Sequence, residues 1–144
     1  MERIFISRVI RVEADAVWAV LRDFNGMPAW HPAIVDSEIE DARAADSVGC
    51  IRSFHLADGG HIREQLTALS DADRHLRYII LESPMPVTGY DATIDVIPIT
   101  EGNASLVVWK AEFEVPPADA RATVDTVAGG VFRAGLDALA AQLE

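Results

Sequence analysis

Residues 104–143 read ASLVVWKAEFEVPPADARATVDTVAGGVFRAGLDALAAQL, and the pattern changes at Pro116-Pro117. Before the two prolines, Val107, Trp109, Ala111 and Phe113 alternate with Lys110, Glu112 and Glu114, the period of a strand that buries one face. After them, Val124, Val127, Ala128, Val131, Phe132, Leu136, Leu139 and Leu143 recur at three- and four-residue spacing, which predicts one long terminal helix with Asp119 as its cap or first-turn acid. Gly129, Gly130 and Gly135 interrupt that helix, each at a cost of about 1 kcal/mol relative to Ala. Their presence implies close approach of another backbone, a bend, or room for a bound molecule.

Working back towards the N-terminus, alternation predicts a first strand over Arg3–Val12. A short amphipathic helix follows Asp15, with Val17, Val20, Leu21 and Phe24 on one face and Asn25-Gly26 as its stop. Met27 to His31 hosts one further helical turn at most, because Pro32 pushes His31 towards an extended conformation. Six strands are then expected near Ile34–Asp41, Val48–Ala57, His61–Ser70, Leu76–Glu82, Tyr90–Ile99 and Ala104–Val115, joined by short turns into an antiparallel meander.

The chain has 144 residues, a length suited to one domain, 1–144, around one core. Half of its residues are apolar and about a quarter charged, which excludes a disordered chain or a coiled coil. Twelve basic against 23 acidic side chains leave a net charge of −11, which argues against nucleic acid and against anionic lipid surfaces as partners. The lone Cys50 forms no intrachain disulfide, and no apolar run has the length of a signal peptide or a membrane span, so a cytoplasmic protein without membrane insertion is expected.

Strand parity assigns an interior. Tyr90, Ala92, Ile94 and Val96 face one way and Asp91, Thr93 and Asp95 the other. Trp109 joins the inward set, as do Leu76, Tyr78 and Ile80, with Glu82 as a further inward candidate. Closing the Asp58-Gly59-Gly60 turn by pairing Leu56 with Ile62 sets Phe54 opposite Glu64 and Arg52 opposite Leu66, so Arg52 and Glu64 are expected as diagonal, inward neighbours. Either the two neutralise each other at the end of the sheet, or a polar ligand completes them. The company of Tyr78, Tyr90 and Trp109, apolar bulk with a few convergent polar groups, is that of a small-molecule site.

Four histidines, His31, His55, His61 and His75, show no metal-ligand spacing, and no metal or cofactor is assigned. His55, His61 and His75 are expected at the solvated surface, whereas His31, between Trp30 and Pro32, is a candidate proton carrier at a pocket mouth. No nucleophile elbow, phosphate loop or dinucleotide fingerprint is present, so any chemistry would be acid-base.

The order of elements, together with the segments 17–24, Trp30-His31-Pro32, Val48–Arg52, Glu64-Gln65-Leu66, 78–90 and 131–139, resembles the START/Bet v 1-like superfamily, and within it the bacterial polyketide cyclase/dehydratase and lipid-transport group. The resemblance covers nearly the whole chain. It implies an α+β helix-grip fold: a seven-stranded curved antiparallel sheet around the long C-terminal helix, two short helices after the first strand, and a cavity between sheet and helix. Plant abscisic acid receptors look like distant relatives, with gate and latch loops corresponding to Ala57–Gly60 and Ser83–Tyr90, but the short Asp-Gly-Gly turn departs from that gate and hormone sensing is not carried over.

Two functions are compatible with these residues. The first is binding or transport of a hydrophobic small molecule of lipid, polyketide or aromatic type by a monomer or homodimer, with Trp30, His31, Arg52, Phe54, Glu64, Tyr78, Tyr90, Trp109 and Val131 as ligand-binding candidates. The second is a cyclase or dehydratase in which Glu64 serves as general acid or base and Arg52 stabilises an enolate, assisted by Tyr78 or His31. A protein-interaction role has only Pro84, Met85 and Pro86 in its favour.

Overall fold

The computed structural model describes residues 1–144. Strand β1 (Glu2–Ile10) leads into helix α1 (Ala14–Leu21) and a single tight turn at Met27–Ala29. The strands β2 (Ile34–Ile39), β3 (Ile51–Leu56), β4 (His61–Ser70), β5 (His75–Glu82), β6 (Thr88–Ile99) and β7 (Ala104–Glu114) follow. They form one antiparallel sheet in the order β1-β7-β6-β5-β4-β3-β2, a meander in which β1 pairs with β7 at one edge and β2 forms the other. The expected α+β helix-grip architecture is therefore present, and the C-terminal helix lies along the concave face.

Parity places the core as the alternation requires. Tyr90, Ala92, Ile94 and Val96 of β6 are buried, as are Val107, Trp109, Ala111 and Phe113 of β7, and they meet Val127, Phe132, Leu136 and Leu139 of the C-terminal helix. Trp109 stacks on Phe132, with ring centroids 4.3 Å apart. Helix α1 closes one end of the core with Val17, Trp18 and Leu21, and the Trp18 Nε1–H and the Arg22 guanidinium both donate to Asp71 in the β4–β5 turn. The convex face carries the polar set. There Arg77 pairs with Asp91 and Arg3 with Glu112 around a shallow groove, while Lys110, the single lysine of the chain, has no carboxylate partner.

Four expectations are corrected. The β3 strand begins at Ile51 rather than Val48, because Gly49 sits at φ +97° and its N–H donates to the Leu66 carbonyl from within a turn. The β2 strand ends at Ile39, where Asp41 and Ala42 take positive φ in a tight turn. The β3–β4 hairpin is slipped by two residues from the expected pairing: Phe54 faces Ile62 and Arg52 faces Glu64, because Leu56 N–H bonds the Gly60 carbonyl and Leu56 no longer has Ile62 opposite it. Glu82 points outward, exposed, to an ion pair with Arg63.

The terminal helix is not uniform. A 3-10 turn (Pro117–Asp119) leads into α2 (Ala120–Asp125), a π-helical stretch covers Thr126–Arg133, and α3 (Ala134–Leu143) completes it. The three glycines fall into two kinds. A Cβ at Gly129 or Gly130 would meet open space, whereas one at Gly135 would lie 2.6 Å from the His31 ring and 3.2 Å from Trp109. Close approach is thus real at Gly135 alone, and the approaching group is a side chain.

Candidate functional site

The direct Arg52–Glu64 register brings two ionic side chains to the same point on the concave face, where both are about 95% buried. Arg52 Nε and Nη2 donate to one carboxylate oxygen, Oε1, at 2.8 and 2.6 Å, and Nη1 donates to the Phe24 carbonyl at 3.0 Å. The guanidinium lies 3.9 Å from the centre of the Phe24 ring and 4.8 Å from that of Tyr78, so aromatic faces cover it where water would otherwise sit. Phe24 supplies both a ring and a carbonyl because Gly26 N–H bonds back to Asp23 O and turns the chain after α1.

Glu64 Oε2 has no protein hydrogen bond. Burial pushes the Glu64 carboxyl above its ordinary value, and the charge and hydrogen bonds of Arg52 oppose that shift without cancelling it. Beside the pair, Trp109 Nε1–H donates to the Tyr78 hydroxyl oxygen at 2.9 Å, which leaves the Tyr78 proton available. Burial raises both Tyr78 and Tyr90 above the ordinary phenol value, so both are neutral donors near pH 7.

These groups line an internal chamber. Arg52, Phe54, Glu64, Tyr78, Tyr90, Trp109 and Val131 all contribute to its wall, together with Met27, Ile34, Leu56, Ile62, Ile80, Met85 and Val127, which are not among the ligand-binding candidates expected from the sequence. Alternation already turns Ile62 and Ile80 inward; the sequence reads Met85 only as part of a Pro-flanked interaction candidate, and nothing in it marks the Phe24 carbonyl that Arg52 uses.

The expected hollow is far smaller than a ligand. The chamber measures about 30 Å³, close to the share of one liquid water and an order of magnitude below ordinary small-molecule pockets. A separate surface groove of about 330 Å³ lies outside it, between the β3–β4 turn, the β5–β6 loop and the C-terminal helix. Leu56, Ile62, Met85 and Val131 belong to both and so form the partition between chamber and groove.

Trp30 and His31 do not reach the chamber wall. Trp30 is buried behind it, 6.2 Å from Trp109, and its indole N–H has no protein partner. His31 is 1% exposed and lies in the core, not at a mouth. Its Nδ1 accepts the Ala33 N–H at 3.1 Å, and its Nε2 lies 2.7 Å from the Val131 carbonyl, which it meets as a donor. Burial holds its pKa below the ordinary value, and the Arg52 charge adds to that. Both nitrogens are engaged, so the proton-carrier role at a pocket mouth has no geometric basis. His55 and His61 lie at the exposed surface on Asp36 and Ser53, and His75 pairs with Asp95. No helix is long and apolar enough to cross a membrane.

Comparison with known proteins fits this geometry. The family model described as polyketide cyclase / dehydrase and lipid transport matches residues 1–144. An uncharacterised protein from Bacillus thuringiensis is 30% identical, with 99% of this chain and 98% of that chain covered and a TM-score of 0.87. The Zhui aromatase/cyclase from a Streptomyces species shares the fold at 19% identity (99% and 93% covered, TM-score 0.81). So does norcoclaurine synthase from Thalictrum flavum at 22% (99% and 93% covered, TM-score 0.76). No protein of curated function matches the chain. With a curved sheet gripping its last helix and a family model spanning every residue, the chain belongs to the polyketide cyclase/dehydrase and lipid-transport family.

Proposed function

We propose that this protein binds a small hydrophobic molecule carrying an oxygen function, with its apolar body between sheet and helix and its polar end at Arg52, Glu64, Tyr78 and Tyr90. The observation that carries this reading is the buried Arg52–Glu64 pair with one carboxylate oxygen unpartnered on an otherwise apolar wall. An ion pair kept only for stability is weakly motivated, since well-packed apolar residues of similar volume commonly do as well or better. At about 30 Å³ the chamber is a closed state, and entry requires the Met85–Val131 partition to part. Bound ligand would then replace protein contacts as well as water, so affinity is set by apolar burial minus the cost of opening.

The test is a panel of aromatic and aliphatic compounds, with and without a hydroxyl or carbonyl group, followed by tryptophan fluorescence and native mass spectrometry. Saturable one-to-one binding is expected. Arg52→Met should weaken oxygenated compounds by about tenfold, the size of one charge-assisted hydrogen bond, and leave the matching hydrocarbons within about twofold. Absence of binding across the panel, with no gain in a Met85→Ala variant that thins the partition, would remove the reading.

A second reading, acid-base catalysis of cyclisation or dehydration, is favoured by the raised Glu64 carboxyl, which can exchange a proton nearer neutrality than an ordinary one. Arg52 would stabilise the developing enolate oxygen. Glu64→Gln separates the two readings: binding persists in both, and only catalysis is lost.

A further inference from the structure

The π-helical stretch Thr126–Arg133 includes Val127 and Val131, two of the chamber's lining residues. A π-turn inside an α-helix is rare and costs hydrogen-bond geometry, so something must hold it. The side chain that hydrogen-bonds its backbone from outside is His31, whose Nε2 lies 2.7 Å from the Val131 carbonyl, 100 residues along the chain. The imidazole is itself fixed from three sides. Ala33 N–H occupies Nδ1, Trp109 meets the ring edge-on at 6.4 Å, and Gly135 leaves the space in which the ring sits. Pro32 places His31 at this depth by ending the turn at Met27–Ala29, and His31 N–H bonds the Met27 carbonyl at 2.7 Å.

We infer that His31 is a positioning residue, a clamp whose bond to the Val131 carbonyl holds the helical wall of the chamber shut, with Gly135 as the seat that lets the clamp approach. The inference rests on the chamber being the ligand site, but the clamp itself is measurable without any ligand. Val131 belongs to the partition, so releasing its carbonyl loosens the same segment that must move for entry. With Nδ1 and Nε2 both engaged, a second ring proton can go only onto Nδ1, where it displaces the Ala33 N–H. Burial and the Arg52 charge oppose that proton, and only the hydrogen bond to the Val131 carbonyl favours it. A charged ring would therefore lose the Ala33 bond while its Nε2–H still donates to Val131, so the clamp is tested by replacing the ring and not by acid.

The experiment is amide hydrogen exchange on the full chain, comparing wild type, His31→Leu and His31→Gln, with global stability measured in parallel by denaturant. In His31→Leu, exchange over residues 127–135 should rise about fivefold or more beyond what the change in global stability accounts for, the effect of losing one net hydrogen bond from a locally opening segment. His31→Gln, which can still donate to Val131, should recover most of that protection. Should His31→Leu fail to fold, Gly135→Ala, whose methyl group crowds the His31 ring, gives the same readout, since loss of protection over residues 127–134 beyond the change in global stability is expected. Exchange that changes uniformly over the molecule, or that Gln does not restore, overturns the clamp. The association rate of 1-anilinonaphthalene-8-sulfonate should rise with exchange in this segment, and an unchanged rate overturns its gating role. Failure of every compound to bind any variant counts instead against the chamber as ligand site, while the exchange pattern still decides the clamp.

Discussion

Arg52 and Glu64 are not equivalent partners. A guanidinium stays charged in any protein environment, whereas a carboxyl can take up a proton and become neutral. Removing the carboxylate therefore strands a buried cation, and Glu64→Leu should cost about 3–5 kcal/mol. Arg52→Met leaves a carboxyl that neutralises itself, and a smaller loss is expected, with the Glu64 pKa rising further once its opposing charge is gone. The double variant Arg52→Met/Glu64→Leu should regain most of the loss or exceed wild type by about 1 kcal/mol. Chemical denaturation of the four proteins checks this, and an additive double variant would show that the two side chains are not coupled. This pair was legible in the sequence because two charges at inward parity are conspicuous. Their direct opposition was not, since it depends on how the Leu56–Gly60 loop closes, and a two-residue slip preserves every inward and outward assignment.

At the scale of the element, the terminal helix separates two kinds of glycine that look alike in sequence. Gly129 and Gly130 face open space, and replacing either by Ala should stabilise the protein by about 0.5–1 kcal/mol. Gly135→Ala should destabilise it by about 1–3 kcal/mol, because a methyl group 2.6 Å from the His31 ring forces that ring off its bonds to Val131 and Ala33. Thermal melts of the three single variants settle the sign. The strands were largely legible because period-two alternation reports burial directly, as in Tyr90–Val96 and Val107–Phe113. The π-register at Thr126–Arg133 was not, because apolar spacing at three and four residues is satisfied by either helix type and the His31 contact that pins it is contributed from a distant segment. The placement of His31 failed for the same reason: a histidine before a proline reads as a loop residue until the helix that covers it is known.

For the whole molecule, the closed interior links stability, acidity and entry. His31 takes up a proton in the unfolded chain near its ordinary value of 6.5 but resists it when folded, so its contribution is complete above that pH and is lost as the pH falls further. Glu64 acts in the opposite sense: its proton is held more tightly in the fold, and the stability so gained is lost as pH rises from its ordinary 4.5 through the folded value. Unfolding free energy should therefore decline below about pH 6.5, and His31→Gln should flatten that limb. The size of the chamber, by contrast, could not be read from the chain. The sequence names part of the lining, but whether Met85 and Val131 close the opening is decided by loop and helix placement to within the width of a side chain.

The convex groove offers a practical use of an unrelated kind. Lys110 stands there alone, unpaired, on the side of the sheet opposite the chamber. Apart from the terminal amine, which sits against Glu114, an amine-reactive dye or resin has this one nitrogen to attack. Attachment at Lys110 would anchor the molecule by its back, with the partition facing the solution.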